Sequence, residues 1–137
     1  LQNLGVEELQ YVFCSHAHED HVGGLSAALA YFPADHVYSP VTEASTKCFQ
    51  DFVKYTGQQG LQVEVPAAGT VWPLGSATVT MLGPVAQYDN TNDTSIVLRV
   101  DYGSTSFLLT GRLMRSAPFI KNQPFQKKSP HTARLSI

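Results

Sequence analysis

The chain has 137 residues, 43% of them hydrophobic, and a formal net charge of −2, which suits one globular domain with a real core. No apolar run approaches the ~20 residues of a membrane-spanning helix, and no charged-then-apolar segment at the start reads as a secretory signal. Two cysteines, Cys14 and Cys48, are too few for a disulfide framework.

Taken in order, residues Leu1 to Leu9 read as the end of a helix interrupted by Gly5. Tyr11-Val-Phe-Cys14 is a short run of β-formers, expected as a buried strand with Cys14 as a small buried hydrophobe. Val22 to Phe32 reads as a helix with Leu25, Leu29 and Phe32 on one buried stripe, stopped by Pro33. His36-Val-Tyr38 is expected as a short strand. Thr42 to Gln59 reads as a second helix with Thr42 as N-cap and Gly60 as its stop. Leu61 to Val65 alternates apolar and polar residues, the pattern of a half-buried strand. Val71 to Leu82 is strand-rich, with a turn at Pro73-Leu-Gly75. Ile96 to Tyr102 and Ser106 to Thr110 flank Gly103-Ser-Thr as a hairpin.

Beyond that hairpin the pattern changes. All 11 acidic residues lie before Gly111 with only three basic ones, a net −8, whereas the six basic residues from Arg112 onward meet no acid, a net +6. Periodicity fades from Leu113, and Pro118, Pro124 and Pro130 interrupt any helix. The expected division is therefore a domain over residues 1–112 and a basic tail over 113–137, lying outside the folded core. The tail is either a divergent, solvated segment or the product of a shifted reading frame. A basic tail that meets phosphate is a further reading. The chain starts at Leu1 rather than Met, so it reads as a fragment that a signal or anchor could precede. Its compartment stays open between cytoplasmic and exported.

The chemistry concentrates in six residues. His16, His18, Asp20 and His21 follow the first strand directly, and three of the five histidines lie there. Neutral imidazole and carboxylate are ligands for zinc, iron or manganese. A loop leaving a strand end directs alternate side chains into one cleft, so His16 and His18 can hold one ion while Asp20 and His21 turn toward a second. A following Gly23-Gly24 would keep the backbone slim near the ions. A solvated loop with incidental histidines is the competing reading, and three histidines with an aspartate at this spacing weigh against it. Glu19 reads as surface charge near the helix start, His36 as a strand-end histidine, and His131 as part of the tail.

The run His16-Ala-His-Glu-Asp-His-Val-Gly-Gly-Leu25 resembles the H-x-H-x-D-H motif of the metallo-β-lactamase-fold hydrolases. Leu4-Gly-Val6, Asn92-Asp-Thr-Ser-Ile-Val-Leu98 and Gly103-Ser-Thr-Ser-Phe-Leu-Leu-Thr-Gly111 resemble the ComEC-like branch, that of the bacterial DNA-uptake competence protein. The resemblance covers residues 1 to 111. It implies an αββα sandwich, incomplete at both ends, with the metal site at one edge. It also implies that His16 and His18 bind the first of one or two zinc ions and that Asp20 and His21 bind the second. Asn92 or Asp93 would either face the ions or shape the turn before a strand. Where the family continues Thr-Gly with a bridging aspartate, this chain has Arg112, and the family's later histidine has no counterpart. The expected activity is metal-dependent hydrolysis, with Asp20 binding metal and orienting or deprotonating water, on a phosphodiester or nucleic acid. The alternatives are hydrolysis of a non-nucleic ester, thioester or lactam, and an inactive metal-binding remnant.

Overall fold

The computed structural model describes residues 1–89, 93–111 and, as backbone, 134–136. It divides into two units, Leu1–Val65 and Pro66–Ile137.

In the first unit a single 3₁₀ turn, Gln2–Leu4, is followed by Gly5 at φ +69°, a left-handed conformation that glycine adopts without strain. The expected helix end here is therefore only one tight turn. Strand β1 runs Leu9–Phe13, helix α1 Glu19–Tyr31, strand β2 Ala34–Tyr38, helix α2 Lys47–Gln58 and strand β3 Val63–Glu64. The strands pair in the order β1-β2-β3, all parallel, with Tyr11 opposite His36 and Val37 opposite Val63. Parallel neighbours cannot be joined by a tight turn, so each connection carries a helix. Period-2 alternation then sorts the side chains. Val12 and Val37 join Cys14, Val22, Leu29, Phe49 and Phe52 in the buried core of this unit. Tyr11, Phe13, His36 and Tyr38 stack on one another, with ring centroids 5.2–6.3 Å apart.

Both helices differ from the sequence reading at their starts. Helix α1 begins at Glu19, one turn ahead of Val22, so the histidine–aspartate run enters the helix itself. Its core-facing stripe is the buried Val22 and Leu29 with the partly buried Leu25, and Phe32 lies just past the end as the C-cap. Helix α2 begins at Lys47, and its N-cap is Thr46, whose Oγ1 accepts from Phe49 N at 3.4 Å, not Thr42. Val41 and Ala44 explain the later start, since both pack against the core along a non-helical path. Gly60, at φ +76°, ends this segment as expected.

At the opposite end of α1 the backbone is closed by a side chain from afar. Gln59 Nε2 donates to Leu29 O at 2.6 Å and Phe32 O at 2.9 Å, while its Oε1 accepts from Ala34 N at 2.7 Å. The last carbonyls of a helix have no partner within it, and Gln59 supplies one.

The second unit is one sheet in the order β4-β5-β6-β7-β8. Its strands are β4 Val71–Leu74, β5 Ala77–Gly83, β6 Val97–Tyr102, β7 Thr105–Thr110 and β8 Arg134–Ser136. Pro73 and Leu74 belong to β4 rather than to the turn, which falls at Gly75 with φ +57°. The β6–β7 hairpin turns at Gly103 as its sequence suggests. Trp72, Val79, Met81, Ile96, Val97 and Leu98 are buried. Arg99 is buried too, and its guanidinium pairs with Asp101 at 2.8 Å, an oxygen that also accepts from Ser106 on the facing strand. Strand β8 pairs parallel with β7, Leu109 opposite Leu135. Three residues of the expected tail thus join the sheet, and the rest of 112–137 lies outside the described residues.

The fold class is α/β, with one parallel sheet, one largely antiparallel sheet and two α-helices among the described residues. No helix among the described residues is long and apolar enough to cross a membrane.

Candidate metal centre

Beyond β1 the backbone holds to its neighbour for one more residue, with Cys14 N donating to Tyr38 O at 2.8 Å. It then leaves the sheet, and Ala17 anchors the middle of the departing run in the core. The Cys14 thiol donates to His16 O at 3.2 Å. Burial pushes that thiol up to about 11, against smaller opposing effects of its hydrogen bonds to Ser39 and the His16 backbone. His16, immediately beyond, is fully buried.

His18 occupies the N-cap of α1, where its carbonyl accepts from His21 N and Val22 N at 3.0 Å each. Ser, Thr, Asp or Asn normally fills this position and caps through its side chain. The His18 side chain makes no cap hydrogen bond, and its Nδ1 is buried without a hydrogen-bond partner. A polar atom left so costs free energy unless something outside the chain satisfies it.

The three rings converge. His16 lies 4.8 Å from His18 and 4.0 Å from His21, centroid to centroid. Ser15 Oγ stands between His16 Nδ1 at 3.1 Å and His21 Nδ1 at 3.3 Å. Asp20, on the first turn of α1 and largely exposed, places Oδ2 3.6 Å from His21 Nε2. That separation is too long for a good hydrogen bond. It is close to the roughly 3.4 Å that separates two ligands of one tetrahedral zinc with bonds near 2.0–2.1 Å. Imidazoles with one carboxylate are the donor chemistry zinc takes, and the helix N-terminus favours a carboxylate at Asp20. The residues therefore fit a metal. As the side chains stand, no three His, Cys, Asp or Glu groups among the described residues enclose an ion.

Other parts of the motif have their own partners. Glu19 accepts from Cys48 Sγ at 3.3 Å, tying the start of α1 to α2. That hydrogen bond, with burial and nearby negative charge, raises the Cys48 thiol above its ordinary range. Gly23 and Gly24 lie inside α1, where an added Cβ would meet only Cys48 Sγ at 4.0 Å or nothing within 4 Å. No described protein contact requires their slimness. His36 stacks on Tyr11 and Tyr38 and lies 3.8 Å from Glu64, a strand residue as expected. Ser15 was missed by sequence reasoning. Its one signal is a hydroxyl directly before the first histidine of the cluster.

In the second unit, Asn92 lies outside the described residues. Thr94 Oγ1 donates to Tyr88 O at 3.1 Å and accepts from Tyr88 N at 3.3 Å, so the turn before β6 is closed by Thr94. Asp93 Oδ1 and Ser95 Oγ are buried without hydrogen-bond partners. Arg112 and His131 lie outside the described residues.

The family model of the metallo-β-lactamase superfamily matches residues 1–135. The chain belongs to the metallo-β-lactamase superfamily. Membership in a metallo-β-lactamase family accounts for the coincidence of a strand-to-helix loop with a histidine cluster, and it supports metal-dependent hydrolysis as the general chemistry. The metallo-β-lactamase match runs past the charge break at Arg112 to the first two residues of β8, Arg134 and Leu135. No curated protein matches the chain.

Proposed function

We propose that the chain is a metal-dependent hydrolase that holds zinc on His16 and His18, with Asp20 and His21 at a second ion, and that its substrate is a phosphodiester, as in nucleic acid. The observation that carries the metal reading is His18: an N-cap side chain that does no capping, with a buried Nδ1 lacking a hydrogen-bond partner, beside His16. Bound zinc supplies hydroxide at neutral pH and polarises the scissile ester. His16 and His18 bind, with His16 held in place by full burial and the Nδ1 of His18 shielded from solvent. Asp20, exposed on the first turn of α1 and 3.6 Å from His21 Nε2, would orient the attacking water and accept its proton as well as bind. The N-terminus of α1 favours the negative charge of a phosphate. The substrate class is supported by the likeness of Asn92–Leu98 and Gly103–Gly111 to the DNA-uptake branch. Manganese or iron suits the same donors.

A second reading follows from one residue. Arg112 stands where the family carries a bridging aspartate, and a cation there opposes two dications. On this reading the chain binds metal but turns over slowly. Elemental analysis after zinc loading and dialysis tests the site. Wild type retains zinc, whereas the double variant His16→Ala/His18→Ala loses it, and equal near-zero content in both would sink the metal reading. Assay of a generic phosphodiester then separates the two functional readings. Turnover of ~1 per second or faster that vanishes in His18→Ala supports the hydrolase. Metal uptake with no turnover, restored by Arg112→Asp, supports the slow remnant.

A further inference from the structure

The oxygen of Ser15 faces the same ring nitrogen of two histidines, His16 at 3.1 Å and His21 at 3.3 Å. In the reading above one of these rings serves the first ion and the other the second. An imidazole ligates through a lone pair, and the tautomer with hydrogen on Nδ1 leaves that lone pair on Nε2. A hydroxyl accepts two hydrogen bonds but donates only one. If Ser15 donated to either ring, that ring would carry its proton on Nε2 and could not bind metal there. If Ser15 accepts from both, both Nε2 atoms are ready to ligate. For His21, that nitrogen is the one 3.6 Å from Asp20 Oδ2, a distance two ligands of one ion can keep.

We propose that Ser15 is a positioning residue shared by both metal sites, its oxygen accepting Nδ1–H from His16 and from His21 and so fixing both rings for ligation through Nε2. This rests on the metal-site reading. Groups that orient metal-bound histidines are worth 10–100-fold in metal affinity. A single oxygen serving two rings concentrates that effect in one side chain, so its loss weakens both ions together.

Long-range proton–nitrogen correlation spectra of the metal-free protein, taken with its imidazoles neutral, report the tautomer of each ring. Wild type is expected to show Nδ1–H on His16 and on His21, Ser15→Ala to show mixed tautomers, and Ser15→Thr, which keeps a hydroxyl, to restore the wild-type pattern. Zinc titration is expected to give an affinity about 10–100-fold weaker in Ser15→Ala and near normal in Ser15→Thr. An Nε2–H tautomer on either ring of wild type overturns the assignment. So does Ser15→Ala protein that binds zinc as tightly as a wild type that binds it well. Wild-type protein that binds no zinc overturns the metal-site reading, and this inference with it.

Discussion

The two cysteines of the first unit, Cys14 just past β1 and Cys48 in α2, differ in what they can do. Cys14 is fully buried, and burial holds its thiol up at about 11, so it is both inaccessible and protonated at neutral pH. Cys48 is partly exposed and hydrogen-bonded to Glu19. Brief alkylation of the native protein should therefore label Cys48 alone, with Cys14 reacting only after denaturant is added, as peptide mass spectrometry would show. The raised thiol also has a pH signature. An acid whose pKa is higher in the folded state leaves stability untouched below the unfolded value and erodes it above. Stability should fall as pH rises from about 9 to about 11, and Cys14→Ala should flatten that fall. Equal labelling of the two cysteines in native protein would contradict the packing of the β1 exit. In the sequence, Cys14 was legible as a core residue because it continues an apolar strand. The Cys48–Glu19 contact was not, since 29 positions separate the two.

At the scale of elements, strands and helices declared themselves where periodicity and punctuation agreed. Pro33 marked the end of α1, Gly60 the end of α2 and Gly103 the β6–β7 turn, each through a backbone preference of its own residue. Helix starts were less legible. Thr42 and Thr46 are equally good caps in isolation, and the choice between them rests on Val41 and Ala44 packing in three dimensions. The proposed ligand run stands out in the sequence because its chemistry is dense over six residues, whereas Ser15 behind it does not, because a lone serine carries no pattern. Gln59 illustrates what sequence hides entirely: a surface-type residue that closes α1 and β2 from the end of α2. Gln59→Ala leaves Leu29 O, Phe32 O and Ala34 N without this partner, and should cost about 1–3 kcal/mol. Gln59→Glu keeps the acceptor but sets a carboxylate against two carbonyls, and should cost more. Urea denaturation would measure both, and an unchanged midpoint in Gln59→Ala would show that water replaces the amide at no cost.

For the whole molecule, metal and stability are linked, because an ion that binds only the folded chain stabilises it by mass action. Zinc at about a hundred times its Kd adds about 2.7 kcal/mol, which for a chain of this length raises Tm by roughly 10 °C. Calorimetry should show that rise in wild type and lose it in His18→Ala, and an equal rise in both would place the ion elsewhere. The same linkage acts unevenly along α1. One end of that helix is clamped by Gln59, and the other begins at a histidine that makes no side-chain cap. Metal-free protein should therefore open from the ligand end, in the low-energy fluctuations that amide hydrogen exchange detects. Amides of Asp20, His21 and Val22 should exchange well ahead of those of Leu29 and Phe32, and zinc should slow the first group while leaving the second unchanged. An ion arriving at this site would then meet a breathing turn rather than a finished socket, and its capture would set the pace of that turn's closing.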